Sequence, residues 1–288
     1  MSAGQHTERF APSPTGLLHL GHAYSAMLCH DRAREVDGAF LLRMEDLDTS
    51  RVRAEYHDAI EEDLNWLGIT WDGAVLRQSE RTGAYEDALT KLSARGLTYP
   101  CTCSRRDISE AVRAPNEGEP VFGPDGIVYP GTCRDGTADG DAPAAIRLNM
   151  AAAIDTTGGD PGLRCLAVTE TGETGHPAMI DSDTLLNGTG DIVLRRRDGA
   201  AAYHLAVVVD DDFQGATHVT RGTDLAPAVP VQRLLQHLLG LRAPVYHHHR
   251  LIRDEAGKRL AKRHDALSIR ELRRQGVTPE QIRARLGL

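Results

Sequence analysis

The stretch "RFAPSPTGLLHLGHAYSAMLCH", residues 9–30, constrains the fold more than any other part of the chain. A strand-like start ("ERFA", from Glu8) runs into Pro12, Pro14 and Gly16. Apolar residues at helical spacing follow at once: Leu20, Ala23, Ala26 and Met27. Gly38 stops that helix, "AFLLRM" reads as a buried strand, and "RAEYHDAIEEDLNWLG" reads as a helix closed by Gly68. A further helix is expected in "GAYEDALTKLSARG". Strand, helix, strand, helix is the pattern of a parallel α/β sheet.

Residues 104–143 break the pattern. They are rich in Gly, Pro and Asp and read as an insertion. Short strands are expected in "AAIRLNM" and "LRCLAVTE". The α/β character returns with "GDIVLRRRDG", "YHLAVVVDD", "THVTRG" and the helix "VPVQRLLQHLLG", and short helices near 268–275 and 279–286 close the chain.

With 288 residues, 41% of them hydrophobic, one or two domains with a large core are expected. No run is long and apolar enough to span a membrane. The opening "MSAGQHTE" lacks the pattern of a secretion signal, so a cytoplasmic enzyme is expected. Five cysteines without an export signal argue against a disulfide framework. Cys101, Cys103 and Cys133 share one loop-rich stretch and are either metal ligands or free thiols; Cys29 and Cys165 read as core residues. The net charge of −8 is uneven: residues 241–288 carry +7 and the rest −15. Such a basic tail either grips a phosphate backbone or is a solvated pair of charged helices.

His19 and His22 flank Gly21 where a strand hands over to a helix. A helix start offers unpaired N–H groups and the positive end of the dipole, which suits a phosphate. Glycine lets a flat ring approach the backbone. An ordinary helix start with two surface histidines has the same sequence. A second stretch, "DEAGKRLAKRHDA", packs Lys258, Arg259, Lys262 and Arg263 into a loop able to neutralise a leaving pyrophosphate.

Together the two stretches resemble the paired signatures of class I aminoacyl-tRNA synthetases. "HLGH" stands for His-Ile-Gly-His, and "RLAKR" (259–263) for Lys-Met-Ser-Lys-Ser. "RFAPSPTGLLHLGHA", "LLRMEDLDTSR", "GDIVLRRRDG", "VVVDDDFQGATHVTRGTDL" and "KRLAKRHDA" narrow the resemblance to the catalytic core of glutamyl-tRNA synthetases, collinear over residues 9–266. The resemblance implies a class I Rossmann domain in two halves, 1–98 and 191–240. A zinc-bearing insertion, 99–190, splits it, and a segment with the nucleotide loop and basic helices, 241–288, follows.

It also implies roles. His19, Gly21, His22, Lys258, Arg259 and Lys262 would bind ATP, with His19, His22 and Lys262 catalytic. Arg9, Ser13, Glu45, Tyr203 and Arg221 would bind L-glutamate, Glu45 taking the ammonium and the arginines the carboxylates. Mg²⁺ would accompany ATP. Asp46 and Asp48 are assigned to holding their loop. The chain departs from the family at Ala261, Arg259 and Val207, where serine, lysine and asparagine are expected. Three thiolates need a fourth zinc ligand. Residues 104–143 contain no histidine, and Tyr129, four residues before Cys133, is the donor chosen.

The short chain and its Cys-x-Cys…Tyr-x-x-x-Cys pattern resemble the glutamyl-queuosine tRNA(Asp) synthetase family. That resemblance implies glutamate transfer to queuosine in the anticodon stem-loop of tRNA(Asp), by a monomer with one structural zinc and no separate anticodon-binding domain. The rivals are a short enzyme charging a tRNA 3′ end and a non-catalytic paralogue that senses glutamate or its adenylate.

Overall fold

The computed structural model describes residues 5–112, 120–136, 142–166, 168–174, 180–253 and 267–288. β1 (Thr7–Phe10), α1 (Leu20–Arg34), β2 (Ala39–Met44), α2 (Ala54–Trp66) and β3 (Leu76–Arg77) follow in the expected order. The strands pair in parallel, with Arg9 opposite Leu41 and Arg43 opposite Leu76. At the exit of α1 the Gly38 N–H returns to Ala33 O at 2.8 Å. A Cβ on Gly38 would stand 2.5 Å from His6 O, so only glycine fits this turn into β2.

α3 (Thr82–Ala94) leads to β4 (Thr98–Cys101), α4 (Arg105–Val112) and a hairpin of β5 (Phe122–Gly123) and β6 (Gly126–Ile127). Next come β7 (Ala145–Leu148), α5 (Met150–Asp155), α6 (Asp160–Arg164) and β8 (Glu170–Gly172). A π-helical turn, Thr184–Thr189, precedes β9 (Val193–Arg195), α7 (Tyr203–Phe213), β10 (His218–Gly222), α8 (Val229–Leu239) and β11 (Val245–His249). α9 (Ile269–Arg274) and α10 (Pro279–Leu286) come last.

β10, β11 and β8 form a second parallel ladder. It abuts the first at β1: Thr217 N–H donates to Thr7 O at 3.1 Å. The fully buried Glu8 carboxylate accepts from the Thr220 N–H at 3.2 Å and its hydroxyl at 2.9 Å. The strands thus run β3-β2-β1-β10-β11-β8, and the chain reverses its direction of travel between β1 and β10. In open parallel sheets the crevice at the carboxyl ends of the strands beside such a reversal is where ligands bind.

An antiparallel sheet, β4-β7-β9, adjoins this layer. One core joins Leu92, Leu148, Ile154, Leu194, Leu205 and Leu234; the other joins Ala26, Met27, Leu42, Ile60 and Leu64 to Ile269, Leu272, Ile282 and Leu286 of the two last helices.

Two local expectations are corrected. "LRCLAVTE" is a strand only at its end: Pro161 sits in the first turn of α6, where its missing N–H costs nothing, and the helix runs to Arg164. Cys165, just past that helix, is therefore exposed and no core residue, whereas Cys29 is fully buried. β8 lies within 99–190 yet pairs with β11, so the core is continuous across residues 98 and 190. Among the described residues no helix is long and apolar enough to cross a membrane.

Candidate active site

A cavity of about 610 Å³ opens at the carboxyl ends of β1, β2, β10 and β11. The turn Ala11–Thr15 and the start of α1 form one wall; Glu45, Tyr203, Arg221 and His249 contribute to the others. The first helix begins as its sequence dictates, with an unusual cap. His19 Nδ1 accepts from the Gly21 N–H at 3.1 Å, and His22 Nδ1 accepts from the His19 N–H at 3.2 Å. The two rings stack at 3.8 Å. They satisfy helix-start donors reciprocally, as Ser and Glu do in a capping box. Because each Nδ1 accepts, a neutral ring carries its proton on Nε2. A Cβ on Gly21 would lie 3.0 Å from His19 Cε1, so any larger residue would press on this ring.

Beneath the cavity lies a buried charge network spread over the chain. Arg9 Nε donates to Asp211 Oδ1 at 2.9 Å and Arg43 to the same oxygen at 2.7 Å. Arg43 also donates to Glu45 at 3.2 Å and to Gln214 at 3.0 Å. Burial opposes ionisation of Asp211, but the Arg9 and Arg43 guanidiniums outweigh it and hold its carboxyl below the usual range. Burial pushes the Glu45 carboxyl up, against the pull of Arg43 and Arg9. Tyr203, at the first turn of α7, is likewise pushed up by burial. Arg221 donates from its three nitrogens to His248 Nε2 (3.3 Å), Gln232 Oε1 (2.9 Å) and Leu225 O (3.1 Å).

Of the expected residues, Arg9, Ser13, His19, Gly21, His22, Glu45, Tyr203 and Arg221 all line this cavity. Lys258, Arg259 and Lys262 lie outside the described residues. On either side of them, Leu251 and Ile252 line the cavity and Ser268 bridges His19. Asp46 ties down its loop, accepting from the Ser79 N–H and hydroxyl at 2.8 and 2.7 Å. Asp48 accepts from Ser50 and Arg51 at 2.6 Å each, and also lines the cavity. Sequence reading missed Arg43, Asp211, Gln232, Glu170 and His248. The available signal for Asp211 was the run of acids, 210–212, ending an apolar helix. Its neighbour Asp210 is also fully buried and accepts from Gln78, Arg81 and Tyr85.

The cysteine group is tight. The sulfurs of Cys101, Cys103 and Cys133 all lie within 4.8 Å of one another. The Tyr129 hydroxyl is 3.3 Å from both Cys101 and Cys103, and it accepts from the Cys133 N–H at 2.9 Å. Around a tetrahedral zinc with bonds of about 2.3 Å to sulfur and about 2.0 Å to oxygen, ligand atoms stand roughly 3.5–3.8 Å apart, so this donor set fits such an ion. Burial opposes ionisation of Cys133, but hydrogen bonds from Tyr129 and the Thr102 backbone bring it down to about 7. The Arg147 guanidinium lies 3.8 Å over the Tyr129 ring.

The basic tail is docked on the acidic body. Arg270 and Arg273 pair with Glu62 of α2, Arg283 with Asp31 of α1, and Arg274 with Glu271 of its own helix. Arg285 is exposed.

The sequence matches the family model of the catalytic domain of class I tRNA synthetases (E and Q) over residues 6–288. A glutamyl-Q tRNA(Asp) synthetase of Rhodobacter capsulatus is 53% identical over 291 residues, covering 97% of this chain and 99% of that protein. One from Geobacter sulfurreducens is 43% identical, with 93% and 80% covered. A crystal structure of a glutamate tRNA ligase from Elizabethkingia meningosepticum, in complex with its amino acid, is similar at a TM-score of 0.71 and 26% identity. The match covers 90% of this chain and 52% of that one, so the chain spans about half the length of that relative. A methionyl-tRNA synthetase from Mycobacterium tuberculosis shares the fold, with a TM-score of 0.63 at 14% identity, covering 98% of this chain and 64% of that one. A helix start facing two buried arginines across the carboxyl ends of a parallel sheet, and relatives alike over nearly the whole of this chain, agree: this chain is a ligase-type enzyme of the class I (E and Q) aminoacyl-tRNA synthetases and belongs to their glutamyl-Q tRNA(Asp) synthetase family.

Proposed function

We propose that the enzyme activates L-glutamate with ATP to glutamyl-adenylate and transfers the glutamyl group to queuosine in the anticodon of tRNA(Asp). The observation that carries this reading is the cavity itself. It brings a helix start capped by His19 and His22 against Arg9, Glu45, Tyr203 and Arg221, in a volume within the range of small-molecule sites. Arg9 and Arg221 hold the two carboxylates of glutamate, Glu45 takes the ammonium, Ser13 adds a hydroxyl contact, and Tyr203 covers the pocket. Gly21 admits the nucleotide base.

A glutamate α-carboxylate oxygen attacks the α-phosphorus of ATP, and pyrophosphate leaves. His19 and His22, protonated on Nε2, donate to the phosphate as its charge grows. Lys258, Arg259 and Lys262 neutralise the departing pyrophosphate, and Mg²⁺ supplies further charge neutralisation when bound. A hydroxyl of the queuosine cyclopentenediol then attacks the glutamyl carbonyl and displaces AMP, its proton passing to the phosphate or solvent. Cys101, Cys103, Cys133 and Tyr129 hold one structural zinc that pins the ends of the loop they bracket. The relatives' shared name supports queuosine as the acceptor.

The test is incubation with labelled glutamate, ATP and tRNA(Asp), with and without queuosine, followed by identification of the labelled nucleotide. Label on queuosine, and on an isolated anticodon stem-loop carrying it, is expected. Label at the 3′ end of unmodified tRNA would instead establish a short 3′-charging enzyme. Absence of glutamate-dependent ATP–pyrophosphate exchange would establish a sensor.

A further inference from the structure

The three groups that accept hydrogen bonds from Arg221 are all uncharged: an imidazole, an amide oxygen and a backbone carbonyl. Arg9, by contrast, is backed by the Asp211 carboxylate. The partner of interest is His248, fully buried on β11. An arginine Nε–H only donates, so His248 Nε2 accepts and its proton resides on Nδ1. Nδ1 lies 3.1 Å from Glu170 Oε2, which accepts it. Strand register makes this row. Arg221 is opposite His248, and His248 is opposite Gly172, two residues from Glu170 on the same face of β8.

We propose that Glu170 and His248 are positioning residues for amino-acid activation. Glu170 fixes the Nδ1–H tautomer of His248, and His248 thereby holds the Arg221 guanidinium with a neutral acceptor. Arg221 is oriented without being neutralised, so its charge remains available to a ligand carboxylate. Three of its five N–H groups are used; one on each terminal nitrogen is left, the arrangement that receives a carboxylate in two-pronged fashion. Protonation of His248 on Nε2 would set two donors face to face. Burial first, and the Arg221 charge second, push His248 down to about 3, so the imidazole stays neutral at working pH. A strand that sequence reading placed in the insertion thus completes the amino-acid pocket from behind.

This inference rests on Arg221 binding glutamate, and the experiment separates the two. ATP–pyrophosphate exchange is measured against glutamate and against ATP. His248→Leu and Glu170→Leu preserve bulk but remove the acceptor. They should raise the glutamate KM about tenfold or more, with the ATP KM unchanged. His248→Gln and Glu170→Gln keep an acceptor oxygen and should restore most of it. Nitrogen-15 histidine spectra of the wild-type protein, with His248 assigned by its loss in His248→Gln, should show the neutral Nδ1–H form, whether or not the leucine variants fold. Leucine variants with a wild-type glutamate KM, or an Nε2–H tautomer, would overturn the relay. If Arg221→Lys also left the glutamate KM unchanged, the glutamate-site reading itself would fall.

Discussion

Arg9→Ala is the sharpest test of the pocket, because its effects on ligand and on fold can be separated. Arg9 is 5% exposed and shares Asp211 with Arg43. Losing a charge-assisted contact to a glutamate carboxylate costs about 1.5–3 kcal/mol, which is roughly a tenfold to hundredfold loss in kcat/KM for glutamate. The fold loses less than the usual buried ion pair. Breaking such a pair typically costs about 3–5 kcal/mol because a charge is stranded, but here Arg43 stays 2.7 Å from Asp211. A cost of about 1–2 kcal/mol is expected, lowering Tm by roughly 2–8 °C. Asp211→Ala is the opposite case. It strands the Arg9 guanidinium and leaves Arg43 with Glu45 as its remaining carboxylate partner, so it should reach about 3–5 kcal/mol. The assays are ATP–pyrophosphate exchange against glutamate and a thermal melt of both variants. Arg9→Ala with an unchanged glutamate kcat/KM, or melting as low as Asp211→Ala, would refute the reasoning.

Gly21→Ala should keep or raise Tm, since alanine favours a helix. It should still lower activation, because the added methyl meets the His19 ring at 3.0 Å; equal activity would show that the ring position is unimportant. The purified protein should carry about one zinc, and Cys101→Ser with Cys103→Ser should remove it and lower Tm; metal-free native protein would end the zinc assignment. Asp63 is 1% exposed, neither carboxylate oxygen has a hydrogen-bond partner among the described residues, and burial pushes it up to about 6. The folded state therefore binds its proton more tightly than the unfolded chain, so stability is lost as pH rises from about 4 to about 6. Asp63→Asn should recover on the order of 2–3 kcal/mol near neutral pH and little at about pH 4, read as Tm against pH; an unchanged pH profile would exclude Asp63 as the cause.

Local chemistry was legible in the sequence alone. Pro12, Pro14 and Gly16 end a strand, and the spacing of Leu20, Ala23 and Met27 makes the helix that follows, so His19 and His22 had to stand at a helix start. The Cys101, Cys103, Cys133 and Tyr129 constellation was equally readable, since its members fall within 33 consecutive residues. Local pattern failed where two readings compete over a few residues: the helix that begins at Asp160 and Pro161 runs into "LRCLAVTE" as far as Arg164, and Cys165 is turned to solvent.

What only the tertiary structure decided is which groups stand behind the ligand-facing side chains. Asp211 meets Arg9 across 202 positions of sequence, and Glu170 meets His248 across 78. Neither pair leaves a periodic signature, because one depends on how α7 packs on the sheet and the other on which parallel strands lie side by side. The sheet order places β10 beside β1 and β8 beside β11; strand register then brings Glu170 to His248 and His248 to Arg221, while α7, packed against the sheet, brings Asp211 to Arg9. A one-residue slip of β11 would turn His248 to the opposite face. Sequence thus determined the residues that line the cavity. Long-range strand pairing, made favourable only by burial of both cores, determined the orientation and the net charge with which they are presented.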